Sequence, residues 1–516
     1  MYGLIRWGPR LGTALALLAV TAATARGAEV RPVVAESLST PRFVAGPCPP
    51  GWVRPPGIDS TWVSCGIVTV PQSRRDPQSK SLVPVTLSVV VYESSSVRRG
   101  AAPVVFLAGG PGESAISMFT DVVLGTPVGQ LLLRERPIVT FDQRGFGARA
   151  GRAKPDLGML DYTPAESRQQ SLAALRDQAR RLARGLRGRG VEPGNFTTLE
   201  AVADLADLVR ALGYERVVLF GTSYGTKYSL QFMRAHPNMV DRAILDGVAP
   251  PNRDDIFLPE KIDAARRSVI RKIAADCTED AACQADFPGL PALVDRLDRP
   301  DAPPLRVVAN YPTAGGWRDL ELAPRDVLTA LGAFAGSDEI RSLLPQLLVD
   351  FARGDTLRRA YAPQLAVVAA ALGRLSTTAG PFYPLAYHSV FCAELQNGVP
   401  QVGGRALCDA LGVPFAGVST ITPVQSDIPT LLLSSAYDTQ TPPELADETA
   451  RTLANSYRVL FRGVGHVAFH QPTAAACAAV VIQSFLIDAK HAPATSCVTA
   501  TMPSFLPASV GLPPIR

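Results

Sequence analysis

Residues 216–236 read R-V-V-L-F-G-T-S-Y-G-T-K-Y-S-L-Q-F-M-R-A-H, and this segment carries the clearest indication of the fold. An apolar run, Val217–Phe220, ends at Gly221, and a segment with helical periodicity follows Gly225. The pattern predicts a strand, a very tight turn and a helix, with Ser223 at the apex of the turn. A strand and a helix packed this closely leave no room for side chains two positions either side of the serine, and glycine fills both positions. A serine exposed in this way can act as a nucleophile if a base lies beside it.

The segments around this turn alternate between short strands and helices. Apolar or β-branched runs typical of strands occur at Gly66–Val70, Val83–Tyr92, Ala102–Leu107, Pro137–Phe141, Arg242–Leu245, Pro429–Ser434 and Tyr457–Phe461. Helical periodicity marks 164–187 and 198–212, whereas residues 252–385 lack short buried strands and look mainly helical. Strands that alternate with helices indicate a parallel sheet covered on both faces. We therefore predict an α/β protein of the α/β-hydrolase fold, with a mostly parallel central sheet and an inserted, mainly helical cap.

The predicted organisation has four parts: a signal peptide (1–28), the first part of the core (29–250), the helical cap (251–385) and the C-terminal part of the core (386–516). Arg6 and Arg10 precede an apolar run, Leu11–Val20, and small residues follow up to Ala28, which is typical of a secretory signal. The run is short for a membrane span, which needs about 20 apolar residues, and no later segment is suitable. We expect an exported protein, periplasmic or extracellular, without stable membrane insertion of the mature chain.

Composition excludes several classes of protein. A hydrophobic content of 47% and a charged content of 19% predict a globular chain with a sizeable core. The net charge of +5 is spread along the chain. The sequence has no basic tract interleaved with aromatic residues, so it does not suggest nucleic-acid binding.

Eight cysteines follow the predicted signal, and in an exported protein they indicate disulfides. Four local pairs in sequence order are the simplest arrangement. The absence of a C-x-x-C motif and the few histidines near cysteines disfavour a zinc site. We expect neither a metal nor an organic cofactor, because the sequence shows no evident site for either.

A serine in such a turn is followed along the chain first by an acid and then by a histidine. His466 comes just after the strand at 457–461, in a glycine-containing loop that can bend back toward Ser223. Asp438 is the only carboxylate between the preceding strand and the next helix, so we predict it as the acid. Weaker alternatives are His236, His388, His470 and His491 for the base, and Asp427 and Asp447 for the acid.

These three residues predict acyl transfer at a serine. Ser223 attacks a carbonyl, His466 carries the proton, and Asp438 holds the imidazole tautomer and stabilises the imidazolium. The oxyanion then needs two backbone N–H donors, one from Tyr224, the residue after the nucleophile. The second donor is expected from the glycine-rich loop after the third core strand, where Gly110 is the best candidate.

The motifs together resemble the proline iminopeptidase and tripeptidyl aminopeptidase group of α/β-hydrolases. The shared segments are Ala108-Gly109-Gly110-Pro111-Gly112, Asp142-Gln143-Arg144-Gly145, Gly221-Thr222-Ser223-Tyr224-Gly225, Asp438-Thr439-Gln440-Thr441-Pro442 and Gly465-His466. Ala108 departs from the histidine of iminopeptidases and looks more like the secreted tripeptidyl branch. The cap, 252–385, matches nothing that can be placed residue by residue.

The resemblance implies an exopeptidase that acts on a peptide substrate with a free N-terminus. Such an enzyme must bind an ammonium group, and Glu394, after Cys392, resembles an acidic position of the tripeptidyl branch that could do so. Arg144 and Glu113 could form a structural ion pair near the entrance to the site.

We therefore predict an exported serine exopeptidase that releases short peptides, possibly tripeptides, through an acyl-enzyme. The alternative is a secreted carboxylesterase or lipase with the same three residues, because this fold serves many reactions. A degenerate hydrolase used as a binding module is a third reading, and the intact serine, acid and histidine set disfavours it. The sequence indicates no particular oligomeric state.

Overall fold

The structure is a computed structural model of the chain. It describes residues 41–507 except 76, 78–80, 94–100, 146–167, 254, 312–315, 337, 354–383 and 397–403. The predicted signal peptide, 1–28, lies outside the described residues.

Within the described part of the chain, nine strands form one sheet and two more form a hairpin. The strands are β1 (Phe43–Ala45), β2 (Val63–Val70), β3 (Val85–Tyr92), β4 (Val104–Leu107), β5 (Ile138–Phe141), β6 (Val217–Thr222), β7 (Val240–Asp246), β8 (Leu305–Tyr311), β9 (Gly316–Leu322), β10 (Thr430–Ser435) and β11 (Ser456–Phe461). The order in the sheet is β1-β2-β3-β5-β4-β6-β7-β10-β11. The pairs from β5 to β11 in that order are parallel, and those at the β1 edge are antiparallel. The mostly parallel sheet predicted from the sequence is confirmed.

Helices connect the strands. They are α1 (Ala115–Asp121), α2 (Pro127–Glu135), α3 (Arg168–Arg187), α4 (Thr198–Ala211), α5 (Tyr224–Ala235), α6 (Pro259–Glu279), α7 (Ala281–Asp286), α8 (Leu290–Leu297), α9 (Pro324–Ala333), α10 (Asp338–Arg341), α11 (Leu344–Arg353), α12 (Pro384–Glu394), α13 (Arg405–Leu411), α14 (Pro443–Ala450) and α15 (Ala475–Ile487). Among the residues described, no single helix has the length and apolar character to cross a membrane; one bent pair, Ala115–Gly125 with Pro127–Glu135, meets both criteria jointly.

Strand β6 shows why the central strands read as continuous apolar runs. Alternate side chains of a strand face opposite sides of the sheet. Val217 and Leu219 join the apolar cluster on one face, and Val218 and Phe220 join the cluster on the other. All four side chains are fully buried, and burial of each such side chain contributes about 1.5–3 kcal/mol. A strand covered on both faces cannot alternate polar and apolar residues.

Two features of the chain were not expected. Strand β1 lies near the start of the predicted core, in a segment for which no strand was predicted, and it pairs with β2. The hairpin β8–β9 lies inside 252–385, which was predicted to lack strands. The sequence of β8, L-R-V-V-A-N-Y, is rich in β-branched and aromatic residues, and a glycine pair ends the loop before β9. These are ordinary hairpin signals that the surrounding helical pattern obscured.

The eight cysteines form four disulfides, all between neighbours in the sequence. The pairs are Cys48–Cys65, Cys277–Cys283, Cys392–Cys408 and Cys477–Cys497. The simplest of the arrangements considered from the sequence is therefore the one that the structure has. Disulfides of this number are typical of proteins in an oxidising compartment.

Arg144 is a buried cation that joins several loops at one end of the sheet. Its guanidinium makes a bidentate contact with Asp204 of α4, at 2.7 Å from Nε and 2.6 Å from Nη2. Its Nη1 donates to the carbonyl oxygens of Gln72 and Asn195, both at 2.7 Å. This environment agrees with the structural role predicted for Arg144. The prediction that Arg144 pairs with Glu113 is wrong. The carboxylate of Asp204, on α4, takes that place.

Replacing Arg144 by methionine should lower the free energy of unfolding by about 3 kcal/mol, because it leaves a buried carboxylate with one cation fewer. Arg74, which also contacts Asp204, moderates the loss. Urea denaturation measures the effect. The matched control is Arg180→Met, which removes an exposed i,i+3 pair and should change stability by less than about 0.5 kcal/mol. An Arg144→Met protein as stable as the control variant would contradict this role.

Candidate active site

Ser223 lies at the turn between β6 and α5, as the sequence predicts. Its backbone has φ 53° and ψ −123°, a conformation that costs energy for a residue with a side chain and is found at functional turns. The flanking glycines are required by space. A Cβ at Gly221 would lie 2.4 Å from the carbonyl oxygen of Gly225, and one at Gly225 would lie 2.0 Å from that of Leu107. The strained serine between two obligatory glycines is the geometry of a nucleophile elbow.

Asp438 and His466 form a direct contact. Asp438 follows β10 and is almost fully buried, and its Oδ2 lies 2.7 Å from His466 Nδ1. Its Oδ1 accepts hydrogen bonds from the backbone N–H groups of Gln440 and Thr441, both at 2.8 Å. The carboxylate is therefore held in one orientation, with one oxygen occupied by the backbone and the other directed at the imidazole. A carboxylate placed in this way favours the tautomer with its proton on Nδ1, which leaves Nε2 free to act as a base.

Thr441 is a third member of this contact that the sequence analysis did not assign. Its Oγ1 donates to Asp438 Oδ2 at 2.7 Å and lies 3.1 Å from His466 Nδ1. The signal that could have found it is local, because Asp438 and Thr441 are three residues apart in a turn that ends at Pro442. Thr441 fixes the oxygen that faces the imidazole.

Asp246, at the end of β7, holds the loop that follows His466. Its carboxylate accepts the backbone N–H groups of Ala468 at 3.0 Å and Phe469 at 2.9 Å. Burial raises the pKa of this carboxyl to about 6, against the lowering effect of those two donors. Sequence reasoning missed Asp246, since its partners are more than two hundred residues away along the chain.

Ser223 and His466 belong to loops that meet at the end of β7. The Ser223 N–H donates to the carbonyl oxygen of Asp246 at 2.9 Å. The next residue, Gly247, approaches the imidazole so closely that a Cβ there would lie 3.1 Å from His466 Cε1. The elbow and the imidazole therefore both lie against the dipeptide Asp246-Gly247. This placement brings them near each other, as a nucleophile and its base require.

The charge balance around His466 favours its protonated form. Burial opposes protonation, but the carboxylates of Asp438, Asp246 and Glu113 outweigh it and raise the pKa of His466 above its ordinary value. An imidazolium that forms when Ser223 loses its proton would be stabilised by the same charges.

The two predicted oxyanion donors are Tyr224, at the start of α5, and Gly110, in the loop after β4. Tyr224 begins α5, and its buried side chain is held by Thr198 at 2.7 Å and Gln143 at 3.1 Å. Gly110 follows β4 and has φ +103°, which favours glycine. The loop that contains Gly110 touches the nucleophile, because a Cβ at Gly109 would lie 3.1 Å from Ser223 Cβ. The two backbone donors remain predictions.

Glu394, the predicted ligand of a substrate ammonium, lies at the end of α12 and is 2% exposed. Its Oε2 is 2.6 Å from Nζ of Lys227 on α5, close enough for an ion pair but not oriented as a hydrogen bond. The disulfide between Cys392 and Cys408 anchors this end of the helix. The role of Glu394 in substrate binding stays a prediction, and in the structure the carboxylate already has a counter-ion from the chain itself.

The alternative residues have other partners. Asp447 forms an exposed ion pair with Arg458. His491 pairs with Asp488, and the ring of His236 packs on Phe232. The remaining candidates are His388, which is buried in α12, His470, whose ring packs on Phe469, and Asp427. Within the described residues, no group of three or more His, Cys, Asp or Glu side chains could hold a metal ion.

Comparison with protein families supports the fold. A family model described as alpha/beta hydrolase fold matches residues 102–284, and one described as TAP-like protein matches residues 396–497. The first match contains the elbow and the glycine-rich loop, and the second contains Asp438 and His466.

Named relatives are similar over part of the chain. Tripeptidyl aminopeptidase of Streptomyces coelicolor is 28% identical over 206 residues, which are 39% of this chain and 38% of that protein. Serine protease Hip1 of Mycobacterium tuberculosis is 26% identical over 265 residues, 46% of this chain and 47% of that protein. A probable proline iminopeptidase of Leptolyngbya boryana is 26% identical over 181 residues, 35% and 42% of the two chains.

The matched segments thus span less than half the length of each of these relatives. The resemblance drawn from the sequence motifs is confirmed by the two family models and by these relatives together. The chain therefore has the α/β-hydrolase fold, matches the TAP-like family model in its C-terminal part, and is similar to proteins named as tripeptidyl aminopeptidase and proline iminopeptidase.

Proposed function

We propose that this chain is an exported serine exopeptidase that cleaves short peptides from a free N-terminus. The observation that carries the proposal is the 2.7 Å contact between Asp438 Oδ2 and His466 Nδ1, in a loop that meets the elbow of Ser223. The tripeptidyl aminopeptidase and the other peptidases among the relatives support a peptide as the substrate.

The proposed reaction passes through an acyl-enzyme. The Oγ of Ser223 attacks the scissile carbonyl carbon while Nε2 of His466 accepts the hydroxyl proton. The carbonyl oxygen becomes an oxyanion, which receives the N–H groups of Gly110 and Tyr224. The intermediate collapses, the C–N bond breaks, and His466 gives its proton to the departing amine. Water then attacks the ester, with His466 again as the base, and restores Ser223.

We further propose that residues 251–385 form a cap and that 29–250 and 386–516 together form the core. Contacts at Tyr437, next to Asp438, support a cap over the site. The Tyr437 hydroxyl donates to Asp276 of α6 at 2.5 Å, and the Arg341 guanidinium lies 5.3 Å from the centre of its ring. Helices of the proposed cap thereby brace the loop that holds the acid.

Export is part of the same proposal. It is supported by the charged and then apolar N-terminus, Arg6–Val20, and by the four disulfides, which form where the environment is oxidising.

The function is tested with trialanine p-nitroanilide, its N-acetylated form and p-nitrophenyl butyrate, each followed by chromatography of substrate and products. We expect kcat/KM for the free peptide to exceed that of the acetylated peptide by about 10- to 100-fold, the value of one ionic hydrogen bond to the ammonium. Equal turnover of both peptides would contradict an exopeptidase. Rapid hydrolysis of the butyrate ester without cleavage of either peptide would instead identify a carboxylesterase or lipase.

A further inference from the structure

Glu113 places a carboxylate beside the nucleophile. It follows the loop Gly109-Gly110-Pro111-Gly112 and is half-buried. Its Oε2 lies 3.1 Å from the position that a Cβ at Gly109 would occupy. Ser223 Cβ lies at the same distance of 3.1 Å from that position, and Ser223 Oγ lies at 3.6 Å. The carboxylate and the serine hydroxyl therefore flank the same side of Gly109.

Among the described residues, neither a lysine nor an arginine is paired with this carboxylate. Arg144, its expected partner, is bound to Asp204. The groups that act on Glu113 are the N–H of Gly109, which donates to it, and the charge of His466. Burial raises the pKa of the Glu113 carboxyl, and these two neighbours only partly offset that effect. A partly desolvated carboxylate of this kind is stabilised when an ammonium group comes within hydrogen-bonding distance.

Glu394, by contrast, already has such a group. Lys227 supplies an ammonium at 2.6 Å from it, and both side chains are almost fully buried. A substrate ammonium would have to displace Lys227 to reach Glu394, whereas no lysine or arginine of the described residues is paired with Glu113. The two carboxylates are therefore not equivalent as ligands for a free N-terminus.

We propose that Glu113 binds the α-ammonium of the very residue whose carbonyl Ser223 attacks, so that the enzyme releases one N-terminal residue at a time. The inference rests on the proposed exopeptidase function and changes its expected product from a short peptide to a single residue. The α-nitrogen of a residue is two bonds from its carbonyl carbon, which matches a carboxylate on the same side of Gly109 as the serine hydroxyl. In a tripeptide cleaved after its third residue, the ammonium lies two residues further, about 7 Å away in an extended chain.

The test compares Glu113→Gln with wild type on alanine p-nitroanilide and N-acetylalanine p-nitroanilide. We expect the ratio of kcat/KM values, free over acetylated, to fall by about 10- to 100-fold in the variant. Loss of the Glu113 charge also changes the pKa of His466, but that change acts on both substrates and cancels in the ratio. The matched control is Glu215→Gln. Glu215 is exposed and precedes β6, at the end of the strand that is far from Ser223, so this variant should keep the wild-type ratio.

A second measurement uses wild-type protein and does not depend on the folding of a variant. Chromatography of a trialanine p-nitroanilide digest should show free alanine as the first product. Release of intact trialanine, or an unchanged ratio in Glu113→Gln, would overturn the inference while leaving the exopeptidase function in place. Cleavage of p-nitrophenyl butyrate with neither peptide amide cut would overturn both.

Discussion

Replacing Ser223 by alanine is expected to lower kcat/KM by about 10⁴–10⁶-fold, because it removes the hydroxyl that we propose forms the acyl-enzyme. The backbone of residue 223 is held by the hydrogen bond from its N–H to Asp246, which alanine retains. The fold and the oxyanion donors should therefore survive. Hydrolysis of the free trialanine p-nitroanilide measures the loss.

The control for this variant is Ser504→Ala, which changes an exposed serine near the end of the described chain. It should have wild-type activity and should react with a fluorophosphonate probe. Ser223→Ala should not react with the probe. Substantial labelling of Ser223→Ala, or activity close to wild type, would rule out Ser223 as the nucleophile.

Replacing Asp438 by asparagine is expected to lower kcat by about 10⁴-fold, for a reason that the local hydrogen bonds supply. The N–H groups of Gln440 and Thr441 both donate to Oδ1, so the asparagine carbonyl oxygen must take that position. The NH₂ group is then directed at His466 Nδ1 and donates to it. The proton of the imidazole moves to Nε2, and the ring can no longer accept the proton of Ser223.

The matched control for the acid is Asp447→Asn, since Asp447 was the alternative acid and forms an exposed pair with Arg458. Its kcat should stay within a factor of about two of wild type. Circular dichroism and thermal unfolding report whether Asp438→Asn still folds. An Asp438→Asn protein that folds and retains wild-type kcat would show that Asp438 does not orient the histidine.

Local sequence was sufficient for those parts of the site that lie at strand ends. Ser223, Asp438 and His466 each follow a short apolar run, and the carboxyl ends of parallel strands meet at one edge of a sheet. Their order along the chain then distinguished them from other serines, acids and histidines. The eight strands of the large sheet other than β1 were located to within a few residues, because burial of a strand leaves a clear apolar run.

Contacts between distant segments could not be predicted in this way. Asp246 holds the backbone at Ala468 and Phe469, and Lys227 neutralises Glu394. Neither pairing leaves a local pattern, because each depends on how two loops pack at the sheet edge. Glu113 was placed near the entrance to the site with Arg144 as its partner. That pairing was wrong because Arg144 binds Asp204 of α4, which the local sequence does not reveal.

The proposed acyl-enzyme can be detected by rapid-quench mass spectrometry of the protein during turnover of the p-nitrophenyl esters of alanine and trialanine. We predict that at least one of these free-amine esters leaves an acyl group on the protein, that peptide mapping places it on Ser223, and that the N-acetylated ester leaves much less. Absence of any adduct, an adduct on another residue, or equal labelling by the free and acetylated esters would contradict a serine exopeptidase that selects free N-termini.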